Sequence, residues 1–266
     1  MDIFGLGVLL IGMSAATFGS GWASIHNYNK ARYLRDTPTS KIRSAAQGYV
    51  ELYGQLSEGL GELQAPLSAK PCVWWSYRID REEKNDKGER KWRRVAARRS
   101  TSLLCLNDGT GECWIDPHGA EVITQTKVVW YGATAHPQRQ PQRKKFLGLA
   151  LRGNKSYRYI EHRLHLHDTL YAIGDFYSRE ITKKASPSPN LEVDRYRQLS
   201  EYAWQKAAQS EMQYFLGKPA AGRPYILSDF VEDKVAKRFT CKAILFAFVC
   251  LSSAIIGAYL INTHLY

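Results

Sequence analysis

Acidic charge is scarce in this chain, and the scarcity is uneven. Its 266 residues carry 25 Asp and Glu against 37 Lys and Arg, a formal net charge of +12. From Val122 to Ile160 there is no acidic residue, and from Ile3 to Ile25 and again from Ala243 to Ile261 there is no charged residue of either sign. Cysteine is sparse as well. The five present are an odd number without a CxxC pair, and two of them, Cys241 and Cys250, lie at or in the second apolar run. That usage excludes the disulfide framework of a small secreted protein and agrees with a reducing compartment. GxSxG and HExxH are missing, and "FLGKPAAG" has a Gly-Lys without the spacing of a phosphate-binding loop. Three common enzyme signatures are thereby absent.

What is present begins with the two uncharged runs. A hydrocarbon core of roughly 30 Å takes about 20 helical residues to cross. Each charge at a helix centre costs about 2.5–3.5 kcal/mol, so charge-free windows of this length point to membrane spans. The mean hydropathy of −0.38 averages these ends with a very polar middle. A cleaved signal peptide fits the first run poorly. Its n-region holds Asp2 and no Lys or Arg, and its apolar stretch is longer than a usual h-region. Gly5, Gly12 and Gly19 lie seven apart on nearly one face. There they either allow close helix contact and a helix-mediated oligomer, or are simply tolerated in lipid.

Basic flanks set the expected topology. Lys30, Arg32, Arg35, Lys41 and Arg43 follow the first run, and Lys234, Lys237, Arg238 and Lys242 precede or border the second, while the outer tails have no Lys or Arg. The positive-inside rule then places residues 26–242 in the cytoplasm and both termini outside, as in a two-span membrane protein. The expected divisions are a helix over 1–25, a basic neck over 26–43, a β-rich domain over 44–232, a basic juxtamembrane helix over 233–242 and a second span over 243–262.

Strand signals fill the middle. "QGYVELYGQL" alternates, and "CVWWSYRID" and "RKWRRVAARRS" flank an Asp-Lys-Gly turn as a long hairpin whose charges read as a solvated face. "SLLCL", "ECWID", "AEVIT" and "TKVVWYG" follow, separated by Asn-Asp-Gly and Asp-Pro-His-Gly turns, then "SYRYIEHRLHL" and "TLYAIGDFY". So many short strands predict a small barrel or sandwich. A helix is expected over 192–215, where Val193, Tyr196, Leu199, Ala203 and Phe215 recur at roughly helical spacing after "SPSPN". "RPYILSD" reads as a last strand, with Ser228 as a cap for the helix that enters the second span. The expected fold is therefore two transmembrane helices around a mostly-β domain with one or two helices, α+β overall.

Candidate chemistry is thin. His165 and His167 share a strand face with His162 opposite, but no cysteine pair or spaced carboxylate completes a zinc site, so neither metal nor cofactor is expected. Cys105 and Cys113 flank the "NDGTGE" turn and read as packed thiols rather than nucleophiles. The acid-free segment is more informative. Within it "RKKFLGLALRGNK" sets Phe146 and Leu149 among Arg143, Lys144, Lys145 and Arg152. Such a segment suits contact with anionic headgroups, at about 1 kcal/mol per cation. The same charges suit RNA, but beside two spans membrane lipid is the expected partner, with a plain solvated loop as the alternative, and nucleic acid is not expected.

The ordered set "TPTSKIRSAAQGYVELYGQL", "CVWWSYRI", "LCLNDGTGECWIDPHGAEV", "YRYIEHRLHLHDTLYAIGDF" and "RPYILSD" before a final span resembles the GIDE, or beside-a-membrane, domain family over about residues 36–262. Its members include mitochondrial and chloroplast E3 ubiquitin ligases, with the domain between two transmembrane helices, and bacterial relatives. In the ligases a zinc-binding RING follows the second span. Only "NTHLY" stands at that place in this sequence. The resemblance thus implies a membrane-bound β domain that binds an unidentified protein partner or lipid, in a stress or defence setting as in some bacterial relatives, without catalysis. The alternative it implies is a ubiquitin-transferase-family protein, serving ubiquitination and organelle organisation, whose RING is lost or supplied in trans.

Overall fold

A computed structural model describes residues 3–59, 61–84, 88–135, 156–180, 212–220, 222–230 and 232–265. The chain divides into two compact units, one holding both terminal helices and the other running from Thr39 to Phe230.

Helices α1 (Ile3–Asp36) and α2 (Glu232–Leu265) make up the first unit. Each has 34 residues, about 51 Å at 1.5 Å per residue, which exceeds the thickness of a hydrocarbon core. Both are long and apolar enough to cross a membrane, over Gly7–Asp36 and Lys234–Thr263. The first apolar run therefore does not end its helix at residue 25; α1 continues through Lys30, Arg32 and Arg35. The helices pack antiparallel. Thr17 Oγ1 lies 2.8 Å from Ser253 Oγ, and Ser24 Oγ donates to the Ala243 carbonyl at 2.8 Å. Nearer the basic ends, Arg35 donates to Thr240 Oγ1 at 2.9 Å. Where the lipid offers no hydrophobic gain for helix association, hydroxyl contacts of this kind hold helices together. The contact passes Gly21, where an added Cβ would sit 3.5 Å from Cys250 Sγ. At Gly12 and Gly19 a Cβ would meet nothing within 4 Å, so those glycines do not form the packing face.

The second unit contains β1 (Thr39–Ser40), a 3₁₀ turn over Ile42–Ser44, and β2 (Gly48–Ser57). After β3 (Leu63–Gln64) and β4 (Pro71–Cys72) come the long strands β5 (Trp74–Lys84) and β6 (Arg90–Arg99). Then follow β7 (Leu104–Asn107), β8 (Glu112–Ile115), β9 (Glu121–Ile123) and β10 (Lys127–Gly132). The last are β11 (Tyr157–Leu164), β12 (Thr169–Glu180), β13 (Met212–Gly217) and β14 (Ile226–Ser228).

Five of these strands close on themselves. β2 pairs β7, β7 pairs β8, β8 pairs β13 in parallel, β13 pairs β12, and β12 returns to β2. Closure removes the open edges that a flat sheet would expose. Alternation fills the interior: Val50, Leu52 and Leu56 of β2, Leu104 and Leu106 of β7, Ile115 of β8, Leu170, Ala172 and Phe176 of β12 and Leu216 of β13 form one buried cluster. At Gly54 an added Cβ would stand 2.5 Å from the Asn107 carbonyl oxygen. Only glycine lets β2 pass the β7 end so closely.

The expected barrel is present, and three local readings are corrected. Residues 212–215, placed at the end of a helix by spacing, belong instead to the strand Met212–Gly217 that closes the barrel; Phe215 stacks on Tyr177 at 5.4 Å and Leu216 is buried. Parallel pairing with Cys113–Ile115 outweighs the helical spacing there. The rest of the expected helix, residues 192–211, lies outside the described residues. His165 and His167 are not on a strand, because β11 ends at Leu164 and Asp168 turns the chain by accepting the His165 N–H at 2.7 Å. Ser228 accepts the Phe230 N–H at 3.0 Å in a local turn, and α2 starts at Glu232, so this serine does not cap it.

Candidate interaction face

The other sheet, in the order β10-β11-β5-β6, is wholly antiparallel. Its inner face carries a small core of Leu67, Ile79, Trp130 and Tyr159. Sequence alternation sends the neighbouring residues to the opposite face. Cross-strand register arranges them in transverse rows. Lys127, His162, Ser76 and Arg99 form the first row, Val129, Ile160, Arg78 and Ala97 the second, and Tyr131, Arg158, Asp80 and Arg94 the third. Trp92 lies beyond, opposite Glu82.

Asp80 organises this face. Though only 3% exposed, it accepts Arg158 Nη2 at 2.6 Å and Nε at 3.0 Å, and Arg78 Nε lies 3.1 Å from its other oxygen. A fork of two donors on one carboxylate fixes the guanidinium plane. The plane so fixed lies over the Trp92 ring at 4.9 Å, and Trp92 leans on Tyr131 at 5.9 Å. Tyr131 and Val129 remain exposed, at 46% and 42%. The face is thus cationic with an aromatic centre. Burial, then Lys127 and Arg78, holds His162 below the ordinary imidazole range, as a positive surface should.

That depression predicts a pH dependence. Above the unfolded imidazole value, about 6.5, His162 is neutral in both states and costs nothing. As pH falls from there towards the lower folded value, the unfolded chain takes up the proton first, so stability declines. His162→Gln should flatten this acid-side loss, read as the slope of urea midpoint against pH between roughly 6.5 and 5; an unchanged slope would place the titrating group elsewhere.

Edge strand β6 continues the positive surface, and its ten residues include six cations. Arg90 reaches Glu82 at 3.6 Å, Lys91 reaches Glu89 at 3.8 Å and Arg93 reaches Glu83 at 3.4 Å. Arg94, Arg98 and Arg99 have no ion-pair partner among the described residues.

A separate concavity of about 620 Å3 is lined by Lys41, Tyr53, Gln55, Asn107, His167 and Thr169, among others. Its carboxylate, Asp108, accepts the Ile42 N–H at 2.9 Å and the Thr110 N–H at 2.8 Å. Burial opposes ionisation, but these bonds and one from Gly111 outweigh it and hold the carboxyl below the usual range. Asp108 thus fastens the 3₁₀ turn to the β7–β8 hairpin. Cys105 and Cys113 do not face each other, since Cys105 stands opposite Trp114 and Cys113 opposite Leu106. Burial pushes the Cys113 thiol well up, which leaves it packed rather than reactive. No three His, Cys, Asp or Glu side chains group as metal ligands among the described residues.

Of the residues singled out in the sequence, Arg143, Lys144, Lys145, Phe146, Leu149 and Arg152 lie outside the described residues, in the connection from β10 to β11. Lys127 and Arg158, from the same acid-free segment, do sit on the face. Lys30 and Lys242 both lie over the Phe239 ring, at 5.4 and 5.3 Å, and Arg32 pairs with Asp36 at 3.0 Å. Lys234, Lys237 and Arg238 are exposed on the first turns of α2. Arg43 N–H donates to Thr110 Oγ1 at 3.4 Å, and Lys41 lines the concavity. The aromatic face itself escaped sequence reading, although alternation within "TKVVWYG" and "SYRYIEH" was its available signal.

Residues 76–192 match the GIDE family model, described as E3 ubiquitin ligase. The matched segment is narrower than the resemblance over 36–262 and contains β6, β10, β11 and all of β5 but Trp74 and Trp75. No curated protein and no solved structure matches the chain.

Proposed function

With a GIDE domain in the chain as premise, we propose that this protein is a two-span membrane protein whose β domain works as a non-enzymatic docking module at the cytoplasmic surface of a bacterial inner membrane, in a stress or defence role. The observation that carries the reading is the cationic face with exposed Tyr131 and Val129 inside the matched segment, on a domain continuous at both ends with long apolar helices. Lysine and arginine at the inner ends of those helices favour the cytoplasmic side. The basic 143–152 connection would add lipid contact beside the protein-binding face. A photoreactive residue at Tyr131 or Ala97 should crosslink to a partner or lipid in native membranes, whereas one at exposed Gln55 on β2 should not. Equal yields at all three positions would refute the face.

A second reading rests on the description of the matched family: a component of ubiquitin transfer. Metal analysis of the purified protein separates the two. Stoichiometric zinc would count heavily for the second.

A further inference from the structure

We propose that β6 is a docking edge for an extended acidic protein segment, which adds to the sheet as a fifth strand beside Arg94–Arg99. This rests on the docking-module reading and names the chemistry of its partner. β6 is the outermost strand of its sheet, and eight of its ten residues are exposed, including Val95 and Ala97. Edge strands of this length are commonly protected by shortness or by a covering element, because their unpaired N–H and C=O groups template another strand. Among the described residues, cations are the protection that β6 carries. They repel a second copy of this basic chain and select an acidic strand instead.

The two halves of β6 differ. The strand shifts register where Val95 is inserted opposite the Ile79/Asp80 step. On the hairpin-tip side, Arg90, Lys91 and Arg93 already have carboxylates; on the other, Arg94, Arg98 and Arg99 have none among the described residues. Arg98 and Arg99 project to opposite faces, so an added strand meets a cation whichever way its acidic side chains alternate. Arg78, on the adjacent strand β5 and opposite Ala97, adds to the positive potential beside this half of the edge. A single-stranded nucleic acid is the poorer fit. It leaves the edge N–H and C=O groups unpaired, and one Trp92 face is already covered by Arg158. Stacking platforms for such strands require successive open rings.

The test uses the full chain in nanodiscs of neutral lipid and a fluorescent eight-residue peptide alternating Asp or Glu with Val or Thr. Comparison probes are its Gln-for-acid version, two versions with alternate amides N-methylated, a single-stranded oligonucleotide, and nanodiscs containing phosphatidylserine. The acidic peptide should bind at low salt. Binding should weaken at least about tenfold with Arg94→Glu, Arg98→Glu and Arg99→Glu combined, and comparably with the N-methylated version that blocks the paired amides. The triple variant should keep its melting temperature, since all three sites are exposed. No peptide binding, insensitivity to both changes, or tighter binding of the oligonucleotide would overturn the proposal. So would a peptide affinity that N-methylation leaves intact, because plain charge attraction would explain it. Preferential binding to phosphatidylserine nanodiscs without peptide binding would overturn strand addition while leaving the docking-module reading standing.

Discussion

Glu161→Ala should cost the β domain about 3–5 kcal/mol and lower its melting temperature by roughly 6–20 °C, at about 2–4 °C per kcal/mol for a domain of this size. Glu161 is fully buried on β11, and the Arg163 side chain, two residues on, is 4% exposed at 3.5 Å. The carboxylate also accepts the Leu67 N–H at 3.0 Å, the Ser68 N–H at 3.2 Å and the Ser68 hydroxyl. Arg163 in turn donates to Ser68 Oγ at 2.7 Å. The pair thus clamps the segment between β3 and β4 against the inner face of the sheet. Removing the acid strands a buried guanidinium and two backbone donors, which is why the loss exceeds that of a surface ion pair. Replacing both charges with leucine should recover only the part due to the stranded guanidinium, because the Leu67 and Ser68 N–H groups stay unpaired. Thermal melts of the full chain in detergent check both, and a Glu161→Ala shift under about 2 °C would mean that water reaches the pair.

Phe176→Ala should be comparably severe, at about 3–5 kcal/mol for a buried aromatic truncated to a methyl group. Phe176 is 2% exposed and stacks on Tyr214 at 5.6 Å. It stands where β12 pairs with two strands at once, opposite Gly48 of β2 and Leu216 of β13. The cavity would open at the seam that closes the barrel. Urea midpoints should separate it clearly from Tyr131→Ala, whose exposed ring should matter by less than about 0.5 kcal/mol. Equal effects would argue against closure at that seam.

The parts of this fold that follow from local chemistry were legible. Uncharged runs gave both helices, and alternation in "GYVELYGQL" and "TLYAIGDF" gave β2 and β12. What local chemistry does not encode is pairing between distant segments. β13 reads as helix because Phe215 falls in a helical repeat, and only its partners, Cys113 to Ile115, make it a strand. The interaction face is of the same kind, since Tyr131, Arg158, Asp80 and Arg94 come from four segments and become a row only through register. Glu161 and Arg163 resemble solvent-facing charges in "YRYIEHRLHL"; their parity with buried Tyr159 places them inward, but burial itself depends on the Leu67–Ser68 segment. Solvated charge on "RKWRRVAARRS" was a sound expectation, and the structure adds that half of its cations have no ion-pair partner among the described residues.

A domain held to the cytoplasmic membrane surface at both ends is most directly tested by protease accessibility in sealed inside-out vesicles after alkaline carbonate washing. The chain should remain in the washed membranes, and protease should degrade residues 26–242 while sparing two helical fragments near the termini. Release by carbonate, or digestion of that region only in right-side-out vesicles, would contradict the account.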